Sequence, residues 1–66
     1  MELTINGEAR RLVGVADIAG LVAELGLDAR KVAVERNLEI VPRSTLGQVE
    51  VEDGDEFEIV TFVGGG

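Results

Sequence analysis

The chain has 66 residues, enough for one domain and too few to build a deep enzymatic cleft beside a core. It has no cysteine and no histidine, which excludes disulfides, thiolate metal sites and the usual general base near neutral pH. Thirteen acids against six bases give a formal charge of −7, and Phe57 and Phe62 are the only aromatics, so a phosphate backbone is repelled and bases find few stacking platforms. A basic protein partner fits this surface; so does a chain whose acids only keep it soluble.

Glu2 follows Met1 directly, with no basic stretch before an apolar run, so no signal peptide is expected. No apolar run approaches the ~20 residues that span a bilayer. The expectation is a cytoplasmic chain with no membrane and no nucleic-acid partner.

Glu2-Leu3-Thr4-Ile5 alternates polar and apolar, the period of a half-buried strand. Asn6-Gly7 then signals a tight hairpin, because a type I′ turn needs positive φ at both central residues. The return strand runs from Glu8 to about Val13. Its faces stay unassigned, since Arg10 and Arg11 are adjacent and point to opposite sides.

From Asp17 to Leu25 the period changes. Ile18, Leu21, Val22 and Leu25 fall on one helical face, Asp17 is placed as the N-cap, and Gly26 as the left-handed stop. Gly20 either allows close approach of a sheet or is simply tolerated, at about 1 kcal/mol against Ala. Leu27 packs back onto the helix end.

Residues 31–37 read as a strand with Val32 and Val34 on one face. Glu39-Ile40-Val41 is a short edge piece stopped by Pro42, which has no N–H for a ladder. Residues 44–47 form a turn with Leu46 as a core plug. Val49 and Val51 mark another short strand, Asp53-Gly54 a turn, and Glu56 to Val63 the longest strand. Along it Phe57, Ile59, Thr61 and Val63 share one face, and Glu56, Glu58, Val60 and Phe62 the other. The order predicts an α+β layer pair, one helix across a mixed sheet of four to five strands.

The last residues are Gly64-Gly65-Gly66. Glycine has no Cβ to pack and loses the most entropy when ordered, so this is a poor strand and a good thread. Extended, it reaches roughly 10 Å and carries a carboxylate into a slot that side chains would block. A frayed terminus is the plain alternative. The expected division is a folded unit over 1–63 and a flexible glycine tail over 64–66.

Four stretches together resemble the ubiquitin-like β-grasp sulfur carriers, most closely the ThiS family of thiamine (thiazole) biosynthesis. They are the Asn6-Gly7 hairpin, the run from Val32 to Asn37 followed by Glu39-Ile40-Val41-Pro42-Arg43-Ser44, the acidic turn and strand from Glu52 to Val60, and the terminal Gly65-Gly66. The middle segment is the most specific; a Gly-Gly end is shared with molybdopterin-type carriers and ubiquitin-like modifiers. Gly64 departs from the family, which often has another small residue there.

The resemblance implies a β-grasp fold with the last strand central. It implies a cosubstrate and no catalytic residue of its own. The Gly66 carboxylate is the expected site of adenylation and thiocarboxylation, by a ThiF-like enzyme that consumes ATP and Mg²⁺ at its own site. A sulfur-donating enzyme and a ThiG-like thiazole synthase are the other implied partners. No cofactor or metal is expected on this chain, which is expected to be a monomer when free. Val60 and Phe62, if Phe57 and Ile59 are inside, form an apolar docking pair rimmed by acids; Phe62 folded over the sheet edge is the alternative. Arg43 either meets an acidic group on a partner or is a plain surface arginine. Glu52, Asp53, Asp55 and Glu56 lack the regular ligand ladder of a calcium loop and read as a solvated acidic turn. Two other fates stay open: sulfur delivery to molybdopterin or tRNA, and isopeptide bonding to lysines as a protein modifier.

Overall fold

Asn6 (φ 51°) and Gly7 (φ 81°) turn the chain back on itself in the computed structural model, which describes residues 1–63. The predicted 64–66 tail lies outside the described residues. The hairpin joins β1 (Glu2–Ile5) to β2 (Glu8–Arg11), with Ile5 opposite Glu8. All of β2 is exposed, and the strand ends at Arg11, short of the expected Val13. Only Leu12 continues the pairing, through its N–H to the Met1 carbonyl, before the chain turns at Gly14.

Helix α1 (Ile18–Glu24) starts where expected. The Asp17 carboxylate accepts the Gly20 N–H at 2.7 Å, which satisfies one of the four free amides of the first turn. Gly20 is explained by this cap and by no approach of the sheet: a Cβ there would stand 3.3 Å from the Asp17 Oδ1. At the other end Gly26 donates to Ala23 and Leu27 to Val22, the paired bonds of a Schellman stop, with Gly26 at φ 76°. Leu27 packs against the core as expected.

A 3₁₀ turn (Ala29–Lys31), capped by Asp28, leads into β3 (Val32–Arg36). Asn37 (φ 50°) and Leu38 (φ 70°) make a second two-residue hairpin into β4 (Glu39–Val41). After Pro42 a 3₁₀ turn (Arg43–Thr45) seats Leu46 in the core, as the sequence predicts. Residues 49–51 are not a strand of the sheet. Their bonds go to the entrance of α1: Ile18 donates to the Val49 carbonyl and Val51 to the Ala16 carbonyl, around an isolated Asp17–Glu50 bridge. The Val49 N–H and carbonyl and the Val51 N–H are thus taken up by Thr45, Ile18 and Ala16 and not by a neighbouring strand of the sheet.

The final strand, β5 (Glu56–Thr61), lies at the centre of a five-stranded sheet ordered β2-β1-β5-β3-β4. It runs parallel to β1 and antiparallel to β3. It stops at Thr61, two residues short of expectation, because its partner Val32 is the first residue of β3. Leu3, Ile5, Val32, Val34, Phe57 and Ile59 face α1 and meet Ile18, Leu21 and Val22; Val15, Leu46 and Val51 close the rim. Burying each large aliphatic side chain in this set contributes roughly 1.5–3 kcal/mol. No described helix is long and apolar enough to cross a membrane.

Candidate functional site

Strand β5 has an inside and an outside, and the outside leads to the tail. Phe57 and Ile59 are buried, so alternation turns Glu56, Glu58, Val60 and Phe62 to solvent. Val60 is 58% exposed and Phe62 48%. Val60 and Phe62, the pair expected to meet a partner, therefore stand on the open face of the sheet, and Phe62 has not folded itself into the core. Register adds neighbours. Ala33 lies opposite Val60, and Glu58, Glu35 and Ile40 form one row across β5, β3 and β4. Ile40 is 80% exposed. The face is thus acidic where β5 begins and apolar where it ends.

Arg43 closes the apolar end. Its guanidinium carbon is 5.8 Å from the centre of the Phe62 ring, a cation–π distance. The Phe62 N–H also donates to the Lys31 carbonyl at 2.8 Å, one step beyond the ladder. Of the two readings of Arg43, neither anticipates that it lies over an aromatic ring of its own chain.

The opposite end of β5 is pinned by side chains acting as backbone. The Asn6 amide receives the Ile59 N–H on Oδ1 (2.8 Å) and donates Nδ2 to the Ile59 carbonyl (3.1 Å). Asn6 N–H itself donates to Phe57, so the β1–β5 ladder gains a further rung after β1 has turned away. On the other side Asn37 N–H donates to the Glu56 carbonyl, and Asn37 Oδ1 accepts from Glu56 N–H at 3.0 Å. Two asparagines in left-handed turns thus grip the central strand from both flanks.

The acidic turn is not simply solvated. Asp55 is 6% exposed. Its carboxylate accepts from Arg36 Nε at 2.8 Å, Asn37 Nδ2 at 3.1 Å and the Glu52 N–H at 2.8 Å. Arg36 also reaches Glu52 at 3.0 Å. Burial alone would raise the Asp55 carboxyl; the Arg36 hydrogen bond, the Glu52 amide, Asn37 and the Arg36 charge together outweigh it and hold the group below its ordinary value. Asp53 receives the Glu2 N–H, tying the turn to β1. Among the described residues no group of acids is placed to hold a metal.

The ThiS family's sequence profile matches residues 3–66. The chain belongs to the ThiS family. It is 47% identical over 65 residues to the sulfur carrier protein ThiS of Bacillus subtilis, covering 97% of this chain and 98% of that one. A crystal structure of the thiamine biosynthesis protein ThiS from Geobacter metallireducens superposes with a TM-score of 0.84 at 35% identity, covering all of both chains. A thiazole synthase of Paramagnetospirillum magneticum is 59% identical over all 66 residues, but the chain spans only 20% of its length.

In this ThiS-family fold Val60 and Phe62 come together on one face, as the period along β5 predicts. Gly64, Gly65 and Gly66 lie outside the described residues. Ile40 and the paired acids Glu35 and Glu58 join the face only through the register of β3, β4 and β5, and Arg43 only through its place over the Phe62 ring, which no local pattern in the sequence reports.

Proposed function

We propose that this chain is a sulfur carrier for the thiazole moiety of thiamine, a cosubstrate whose reactive group is the Gly66 carboxylate. The observation that carries the reading is the course of β5 in a ThiS-family chain: from a buried centre, through exposed Val60 and Phe62, to Gly64-Gly65-Gly66.

A carboxylate is a poor electrophile, because its charge is delocalised and oxide is a bad leaving group. In the ThiF-like enzyme's site the Gly66 carboxylate attacks the α-phosphorus of ATP and pyrophosphate leaves, with Mg²⁺ bound there and not on this chain. Hydrosulfide sulfur, delivered by a sulfur-donating enzyme, then attacks the acyl carbon. AMP departs and one proton is released. The product is a thiocarboxylate, ionised and nucleophilic near neutral pH, tethered so that sulfide is never free. A ThiG-like thiazole synthase takes the sulfur. The likeness to a thiazole synthase over the whole of this chain supports that partnership.

The chain supplies reach and docking. Three glycines, when drawn out by a partner, would span roughly 10 Å with no side chain to block a narrow channel. The apolar pair Val60 and Phe62, with Ala33 beside it, gives a partner a surface to cover, and the acids at the far end favour a basic rim.

The test is reconstitution with a ThiF-like enzyme, ATP and Mg²⁺. The expected results are pyrophosphate release and an AMP adduct that Gly66 deletion abolishes. Adenylation unaffected by that deletion contradicts the reading. Conjugates to lysines, formed with no thiocarboxylate, replace it with the modifier reading.

A further inference from the structure

Arg43 stands on a built platform. Thr45 N–H and Thr45 Oγ1 both donate to the Pro42 carbonyl, at 2.9 and 2.8 Å, and Leu46 N–H donates to the Arg43 carbonyl at 3.3 Å. Leu46 is locked in the core, so the turn cannot swing without pulling out its plug. Arg11, Arg30 and Arg36 each hold a carboxylate at 2.8–3.0 Å; among the described residues Arg10, Lys31 and, on this platform, Arg43 hold none. In a chain with thirteen acids the Arg43 cation rests on the Phe62 ring instead. Phe62 has a second tie, its N–H to the Lys31 carbonyl at 2.8 Å. One residue later, Val63 is 97% exposed. The chain is therefore gripped at Phe62 through both ring and backbone, and has left the body of the protein at Val63.

We propose that Arg43 is a positioning residue for adenylation: its contact with Phe62 fixes the direction in which the chain leaves the sheet at Val63, and so lowers the cost of docking the residues that follow. This rests on the carrier reading. Without the contact the root of the tail samples more directions, and that freedom must be lost on docking. The loss falls on binding. Once the partner holds the thread, the adenylyl-transfer step is the same. KM therefore rises while kcat stays constant. The weight of one solvent-exposed cation–π pair sets the size, roughly two- to fivefold.

The experiment compares Arg43→Gln, Arg43→Lys, Phe62→Leu and the double variant Arg43→Gln/Phe62→Leu, with thermal unfolding to establish that each is folded. In adenylation kinetics R43Q should raise KM about two- to fivefold with kcat unchanged, and R43K, which keeps a cation over the ring, should recover part of the loss. The double variant should match F62L alone, because the contact is already gone. Additive effects of R43Q and F62L would mean that Arg43 touches the partner directly, and an unchanged KM that it does nothing; either overturns the proposal. The second arm needs no partner. Backbone ¹⁵N relaxation of the free chain should show faster motion at Phe62 and Val63 in R43Q, with β5 otherwise unchanged. Equal relaxation in wild type and R43Q overturns the proposal by itself. If the wild-type chain is not adenylated at all, the carrier reading fails and relaxation still decides the clamp.

Discussion

Arg36 and Asp55 meet at 2.8 Å across the start of β5, a half-buried guanidinium against a carboxylate that is almost wholly buried. The pair ties the acidic turn to β3 and frames the first residue of the central strand. Its pH dependence follows from its sign. Asp55 titrates below its ordinary value in the folded chain, so the stability it contributes is fully present above 3.8 and is lost as pH falls through the lower folded value. Asp28, lowered to about 2 chiefly by its hydrogen bonds to Arg30, adds to the same acid window. Asp55→Asn should cost roughly 1–3 kcal/mol at neutral pH. The gap to wild type should close in urea unfolding as pH drops below about 4. A gap that persists unchanged below pH 2 would show that a second acceptor oxygen, not charge, is what Asp55 supplies.

Asn6→Gly isolates the side-chain rung on β5. Glycine keeps the positive φ of the turn, so what is lost is the pair of bonds to Ile59. The expected cost is about 1–2 kcal/mol, with faster amide exchange at Ile59. Asn6→Asp keeps the acceptor and faces the Ile59 carbonyl with a second oxygen; it should be no better than glycine. Full stability in either variant would remove the rung from the account.

Leu38 is strained. Its φ of 70° is a region that side chains with a Cβ adopt at a cost, and the side chain is exposed, so no burial offsets it. Leu38→Gly completes the preferred Asn-Gly turn and should stabilise the protein by roughly 1 kcal/mol, after the extra freedom of glycine in the unfolded chain is subtracted. A shift of the unfolding midpoint to higher urea checks it. Destabilisation would mean that Leu38 makes a contact worth more than its strain.

Glu35 and Glu58 lie directly opposite each other on the open face. Like charges in that position destabilise a sheet by a few tenths to about 1 kcal/mol. Glu58→Lys should therefore stabilise the free chain, less so at high salt. If the acids serve a basic partner, the same change should raise KM for adenylation. A more stable variant with unchanged KM would make the acids a matter of solubility alone.

The hairpin, the capped helix, the Leu46 plug and the two faces of β5 were legible because each is written within a few residues: Asn6-Gly7, Asp17 to Gly26, and the alternation from Phe57 to Phe62. The central place of β5 was not legible from pattern and came from the family resemblance. The second hairpin was hidden because Leu38 stands where glycine normally signals the turn. The burial of Asp55 was hidden because its partners, Arg36 and Asn37, are 19 and 18 residues away, and a local reading sees only four acids around a turn. The 49–51 segment misled for the converse reason. Alternating valines looked like a strand, while their backbone partners lie at the entrance of α1.

The central claim is that Gly66 carries sulfur. It is tested most directly by intact mass of the chain purified from cells with an active thiamine pathway, before and after a thiol-alkylating reagent. Alkylation is needed because exchange of oxygen for sulfur changes the mass almost as oxidation of Met1 does. The account predicts an alkylated species, mapped by fragmentation to Gly66, in a chain with no cysteine to react in its place. No such species, even with the adenylating enzyme, ATP and a sulfur source supplied, would contradict it.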